Sequence, residues 1–344
     1  MTILFRVDAG PQIGLGHLAR CLSLATALKR EGLDSRFLMN DSPATAAYVA
    51  RFGFNAETAG PSVSWGREDA ASTVQAAARE AAQAVVVDGR DVTAAYLDRL
   101  RQTGCFVVVR DDMARFPFSC HLVLNGNADA LRLRYVSSSG DTRFLLGPDY
   151  VVLREEFWSV PPRVIRHPVR EVLLLLGGAD PQRLMPGLLR LLDGLPGDFA
   201  VSAVIGPYFE DREAVRQAAA RCARRVRVVE SPTALRELML AADLAISGGG
   251  QTLYELACVG CPTVALQVGV DQAGQLQTLA DAGCVNSIGH AEEGDAPARV
   301  RAAVETLLED ATARQAMARA GQRLVDGQGA ARVASEILAE CPVP

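Results

Sequence analysis

Two rhythms of apolar residues alternate along this chain. Short unbroken apolar runs, which read as buried strands, are followed by longer stretches in which apolar positions recur every third or fourth residue, the period of a helix packed on one face. The first run, 3–9, is rich in β-branched and apolar residues. Leu18, Cys21, Leu22, Ala25 and Leu28 then line one stripe of a helix predicted over 17–29. Further strands are predicted at 35–40, 84–88, 105–110 and 122–124, with helices at 44–52, 67–83 and 92–102. Pro161, Pro162 and Pro168 interrupt the chain, and the alternation then restarts. The second set of strands falls at 172–176, 199–205, 226–229, 244–247, 263–268 and 284–288, with helices between them and closing helices at 311–325 and 330–340. Ser231-Pro232 reads as the N-cap and first residue of a helix that runs through 241.

Strands that are apolar throughout, and not alternately apolar and polar, belong to parallel sheets covered by helices on both faces. The expected fold class is therefore α/β. At 344 residues the chain exceeds the size of one ordinary core, so two doubly wound, Rossmann-like domains are expected. They are placed at 1–150 and 171–325, with a linker at 151–170 and a last segment, 326–344, packing back on the first domain. Two such domains facing one another leave a cleft between them.

Composition narrows the function classes. A net charge of -5 argues against a broad nucleic-acid surface, which needs a basic face. The N-terminus lacks the charged-then-apolar pattern of a secretory leader, and no apolar run is long enough to span a membrane, so a soluble cytoplasmic protein is expected. Eight cysteines lie mostly within apolar segments, and Cys258 and Cys261 form the one CxxC. No second metal-spaced pair accompanies it, so packing is the expected role and no metal or cofactor is implied.

Two loops carry candidate chemistry. The first strand ends near Asp8 and leads through Gly14 and Gly16 to His17, which puts an imidazole at a helix start beside the carboxyl end of a strand, where open α/β sheets bind ligands. A histidine there either caps the helix or acts as a base; Asp8 and the paired glycines favour the base. In the second loop, strand 244–247 breaks into Gly248, Gly249 and Gly250 ahead of a helix that carries Thr252 and Glu255. The loop is either a tight strand-to-helix turn or a cradle of backbone amides for a diphosphate, with Glu255 placed to accept from ribose hydroxyls. Asp111-Asp112 after a buried strand reads either as a helix cap or as a site element.

The segments RVDAGPQIGLGHLARCLSLATAL, VVVRDDMAR, GPDYVVLREEF, LLGGADP and SGGGQTLYE together resemble the nucleotide-sugar hydrolases of pseudaminic acid synthesis and their spore-coat polysaccharide relatives. That family is similar to the two-domain GT-B glycosyltransferases, including the one that makes lipid II. The resemblance implies a GT-B-like fold in which the N-terminal half takes the sugar and the C-terminal half takes UDP. It implies that His17, from the motif GxGHxxR, activates water, that Asp8 orients the imidazole or binds sugar, and that Gly14, Gly16, Arg20 and Asp88 belong to the sugar site. Gly178, Gly248, Gly249, Gly250, Thr252 and Glu255 match nucleotide-binding positions. Gln272 matches the glutamine of an Asn-Gln pair near sugar and phosphate, with Asp271 in place of the asparagine. Where the family has Asp-x-Tyr, this chain has Asp88-Gly89-Arg90. Arg90 is then either a reader of an acidic or differently decorated sugar or a solvated charge at a helix entry.

The expected reaction is attack of water on the anomeric carbon of a UDP-sugar, giving UDP and a free sugar. Three rivals remain: a GT-B glycosyltransferase that passes the sugar to an acceptor, a catalytically silent nucleotide-sugar binder, and a dinucleotide-dependent dehydrogenase. The last is disfavoured because its glycine fingerprint begins directly at the strand end, whereas Gly14 follows Ala9 at a distance. Oligomeric state is not legible in the sequence.

Overall fold

The computed structural model describes residues 1–9, 16–40, 43–59 and 65–341. Gly14, one of the expected sugar-site residues, lies outside the described residues. The chain divides into two units, Met1–Glu155 with Gly327–Pro344, and Glu156–Asp326.

The first unit is built on β1 (Thr2–Val7), α1 (Gly16–Arg30), β2 (Asp34–Met39), α2 (Pro43–Ala50) and β3 (Asn55–Thr58). It continues through α3 (Arg67–Arg79), β4 (Ala84–Asp88), α4 (Ala94–Arg101), β5 (Phe106–Arg110), β6 (Leu122–Asn125) and β7 (Arg143–Leu146). Its sheet has the order β3-β2-β1-β4-β5-β6-β7 with every pair parallel. The chain winds outward from β1 in one direction and restarts at β4 on the other side. The carboxyl ends of β1 and β4 therefore flank a switch point, the usual ligand position of such sheets.

Pleating decides which side chains share a face. Leu4, Arg6 and Asp8 alternate with Phe5 and Val7, and the register pairs Val7 with Asp88 and Arg6 with Val87. Asp88 thus stands on the face covered by α1. Arg6 and Asp8 stand on the opposite face, over Asp69 of α3, next to a core of Leu4, Val85, Val87, Tyr96, Val107 and Val109.

The second unit contains β8 (Glu171–Leu175), α5 (Met185–Asp193), β9 (Ala200–Ile205), α6 (Arg212–Arg221), β10 (Val226–Glu230), α7 (Arg236–Ala241) and β11 (Leu244–Gly248). After these come α8 (Thr252–Cys258), β12 (Thr263–Gln267), α9 (Ala273–Asp281), β13 (Asn286–His290), α10 (Ala296–Glu309) and α11 (Ala311–Leu324). The sheet order β10-β9-β8-β11-β12-β13 is again all parallel and places a switch point between β8 and β11. Among the described residues no helix is long and apolar enough to cross a membrane.

Several local expectations change. The helix expected over 67–83 stops at Arg79 because Ala81 adopts a left-handed φ of 47°. The helix expected from 92 begins at Ala94, since the Thr93 hydroxyl accepts from Tyr96 N. Ser231-Pro232 does not cap α7. Ser231 has φ 43°, and α7 begins at Arg236, where the Glu156 carboxylate, far away in sequence, accepts from Leu235 N and Arg236 N at 3.2 and 3.3 Å. The strands β3 and β7 were not foreseen: β3 is a polar edge strand, Asn-Ala-Glu-Thr, without an apolar run.

The last helix, α12 (Gly329–Glu340), packs on α1 within the first unit. Arg143 of β7 pairs with Glu336 and Glu340, and Arg332 Nη1 donates to the Asp149 carbonyl at 3.0 Å. Gly329 lies so close to Val151 that a Cβ would sit 2.2 Å from the Val151 carbonyl oxygen. Backbone cannot yield as a side chain does. Gly329→Ala is therefore expected to destabilise the first unit by about 1–3 kcal/mol, read as a lower urea midpoint, while Arg332→Ala costs less than half as much.

Candidate active site

At the switch point of the first unit, one buried carboxylate collects three side chains of α1. Asp88, the last residue of β4 and 1% exposed, receives Arg20 Nε on Oδ2 at 2.5 Å and Arg20 Nη2 on Oδ1 at 2.5 Å. The His17 Nδ1 lies 2.7 Å from Asp88 Oδ1, and the Cys21 thiol donates to Oδ2 at 3.6 Å. The i, i+3 and i+4 spacing of His17, Arg20 and Cys21 places all three on one side of α1, above β4. Burial alone would raise the Asp88 carboxyl, but the Arg20 guanidinium and His17 outweigh it and hold it below the usual carboxylate range. Asp88 is an anion at any working pH.

That charge fixes the tautomer of His17. A lone pair on Nδ1 would face a carboxylate oxygen at 2.7 Å, which is repulsive; a proton on Nδ1 makes a charge-assisted hydrogen bond. Arg20 Nη2 also lies 2.9 Å from Nδ1 and directs one of its two protons to Asp88 Oδ1, the shorter of its two contacts. The neutral ring accordingly carries its hydrogen on Nδ1 and a lone pair on Nε2. With its side chain 17% exposed, the ring keeps an accessible edge.

A second carboxylate extends the cluster. Asp112 Oδ2 faces Arg20 Nη1 at 3.5 Å and Arg110 Nη1 at 3.2 Å, and its Oδ1 accepts from Asn127 Nδ2 at 3.1 Å. Arg110 is the register partner of Asp88 on β5. Asp111 has a different task, accepting from Met113 N and Ala114 N to close a turn and from the Tyr135 hydroxyl.

These contacts revise the expected roles. Asp8 is not the partner of His17, because the pleat turns it to the other face. Its Oδ1 accepts from Arg6 and from Asn40 N, while its Oδ2 is buried without a hydrogen-bond partner among the described residues. Asp88 and Arg20, expected in the sugar site, are paired with one another. Gly16 opens α1 with open space where a Cβ would stand. Arg90 is exposed just beyond β4, and its carbonyl accepts from Arg115. Of the pair read as a helix cap or a site element, Asp111 closes a turn and Asp112 joins the cluster, while Arg110 and Asn127 carry no signal of their own in the sequence.

In the second unit the glycine loops lie at the ends of neighbouring strands. Ser247 of β11 is in register with Leu175 of β8, so Gly248 comes to lie beside Leu176 at the switch point, while Gly178, beyond β8, lies against Gly206. The Gly249 carbonyl accepts from Gln275 Nε2 at 2.5 Å, and Gln275 Oε1 accepts from the Tyr254 hydroxyl at 2.9 Å. Because a peptide is planar and trans, the Gly250 N–H points away from Gln275. Neither Gly249 nor Gly250 donates to a backbone carbonyl among the described residues. A Cβ on Gly249 would meet Leu276 Cδ1 at 2.4 Å and Gln272 Oε1 at 2.7 Å, so only glycine lets Gln272 fold back. There Gln272 Oε1 accepts from Val268 N and Gly269 N at 2.9 and 3.2 Å. Thr252 opens α8, Glu255 is buried within it, and Asp271 is exposed beside Gln272. Gln275 and Tyr254, which hold the loop, were missed in the sequence because their role depends on α9 meeting α8.

The cysteines behave as packing groups. Burial pushes the Cys258 and Cys261 thiols up to about 12, so neither is a thiolate. Among the described residues no group of three or more His, Cys, Asp or Glu is arranged to hold a metal.

Comparison with known proteins adds three likenesses. No family model matches the chain. It is 30% identical over 214 residues to the spore coat polysaccharide biosynthesis protein SpsG of Bacillus subtilis, a match that covers 61% of this chain and spans 62% of that relative's length. Among solved structures, MurG of Acinetobacter baumannii aligns with a TM-score of 0.74 at 16% identity, covering 98% of this chain and 99% of that one. Anabaena Alr3699/HepE, solved in complex with UDP and glucose, aligns with a TM-score of 0.62 at 15% identity, covering 99% of this chain and all of the other. With its two all-parallel, doubly wound sheets, the chain has the GT-B fold seen in MurG.

Proposed function

We propose that this protein hydrolyses a nucleotide sugar, releasing UDP and a free amino or deoxy sugar, in the manner of the hydrolases of pseudaminic-type acid synthesis. The observation that carries the reading is the His17–Asp88 pair, an imidazole whose Nδ1 is committed to an ionised carboxylate and whose Nε2 is left to accept a proton. Water gives a proton to Nε2 as its oxygen attacks the anomeric carbon. The bond from that carbon to the diphosphate breaks with its electron pair, and UDP leaves. The imidazolium that forms is stabilised by Asp88, which accepts from Nδ1 throughout.

The other end of a nucleotide sugar suits the second unit. The Gly249 and Gly250 amides and the Thr252 hydroxyl are donors for a diphosphate whose negative charge grows as the bond breaks. Glu255 is the acceptor for ribose hydroxyls, and Gln272 and Asp271 border the loop. Support comes from the likeness to SpsG, named for polysaccharide biosynthesis, and to HepE, which was solved with UDP and glucose.

Sugar transfer to an acceptor hydroxyl is the second reading, favoured by the likeness to MurG across nearly the whole chain. Incubation with a panel of neutral, N-acylated and acidic UDP-sugars separates the two. Hydrolysis releases UDP and free sugar in equal amounts in buffer alone, and that is the expected result. UDP release that waits for an added acceptor means transfer, and binding without any turnover means a sensor.

A further inference from the structure

We infer that Arg20 is a positioning residue for the His17 base and not a contact for the sugar, and that Asp112 is the group that holds Arg20 in place. The kinetic half of this inference rests on the hydrolase reading; the structural half does not.

The fork of the Arg20 guanidinium is taken by Asp88. Its Nε and Nη2 grip both oxygens of Asp88 at 2.5 Å, its Nη1 is turned toward Asp112 Oδ2 at 3.5 Å, and its side chain is 12% exposed. Recognition of a phosphate or sugar carboxylate by arginine uses the same planar fork that Asp88 already occupies. The fork does something else: it locks the rotation of the Asp88 carboxylate, so that Oδ1 stays aimed at His17 Nδ1. Burial makes this necessary, because a carboxylate with 1% exposure has no water to orient or neutralise it.

Asp112 completes the chain of contacts. Its two oxygens take Arg110 and Asn127 as well as Arg20, so two carboxylates and two guanidiniums balance in charge around the strand ends of β4, β5 and β6. Partners of this outer kind orient a reacting group without touching the substrate.

The test reads His17 in the ligand-free protein. Nitrogen-15 spectra of the histidine rings in the wild type are expected to show His17 as one tautomer with its proton on Nδ1. In Arg20→Gln the carboxylate loses its fork, and a mixture of tautomers is expected. With a UDP-sugar that the panel shows to be turned over, kcat falls by about 10–100-fold in Arg20→Gln and by about 3–10-fold in Asp112→Asn, with KM unchanged within about twofold. Arg20→Lys, which restores charge without the fork, recovers less than half of the loss.

An unchanged single tautomer together with a raised KM overturns the inference and returns Arg20 to the sugar site. Should Arg20→Gln fail to fold, Asp112→Asn decides: wild-type His17 spectra and kinetics in that variant overturn the positioning role. If no UDP-sugar is turned over by the wild type, the hydrolase reading fails, while the ring spectra still decide whether Arg20 and Asp112 position His17.

Discussion

Replacing His17 with alanine is expected to lower kcat for nucleotide-sugar hydrolysis by about 10²–10⁴-fold, the usual worth of a positioned general base. That corresponds to about 3–5 kcal/mol of barrier. The affinity for UDP stays within about twofold, because the glycine loop proposed for the diphosphate belongs to the second unit. The measurement is steady-state release of UDP set beside calorimetric binding of UDP. Asp88→Asn sharpens it. An asparagine amide turned to Nδ1 donates where the carboxylate accepted, which moves the ring proton to Nε2 and removes the base without removing the imidazole. Turnover retained in His17→Ala would sink the assignment of His17 and with it the proposed reaction mechanism.

Replacing Arg6 with methionine is expected to destabilise the first unit by about 3–5 kcal/mol, because it strands two buried carboxylates. Arg6 is 1% exposed, one residue before the end of β1. Its Nε and Nη2 donate to the two oxygens of Asp69 at 2.9 and 3.1 Å, and its Nη1 donates to Asp8 Oδ1. The guanidinium lies 4.5 Å from the ring centre of Trp65, whose amide donates to Asp69 at 2.6 Å. Arg6→Lys keeps a charge but loses the fork, and falls between the two. Of the two tryptophans, Trp158 belongs to the second unit, so in a Trp158→Phe background the fluorescence of Trp65 follows unfolding of the first unit alone. A loss below about 1 kcal/mol would mean that water reaches Asp8 and Asp69 once the arginine is gone.

Much of the site was visible as residue types at strand ends. The histidine after Gly16, the aspartate closing the run Ala-Val-Val-Val-Asp and the triple glycine that starts at the last residue of β11 all stand at carboxyl ends of strands, and the parallel alternation says that such ends bind ligands. Which carboxylate serves the histidine was not visible. Asp8 is nearer in sequence, but Asp88 is the partner, since the register of β1 with β4 and the period of two along a strand put Asp88 under α1 and Asp8 on the far face. The same limit applies to Gln275 and Tyr254 behind the glycine loop, and to Glu156 at the start of α7.

By itself the sequence determined the class of fold, the order of the principal strands and helices and the two loops proposed for the chemistry, because apolar periodicity and glycine placement are local properties that each segment expresses alone. Tertiary structure decided the partnerships: Asp88 for His17, Asp112 for Arg20, Arg6 between Asp8 and Asp69, and the return of α12 to α1. Each of these joins residues far apart in the chain, and the outcome depends on strand register and on which helix covers which face, quantities that exist only after the sheet has formed.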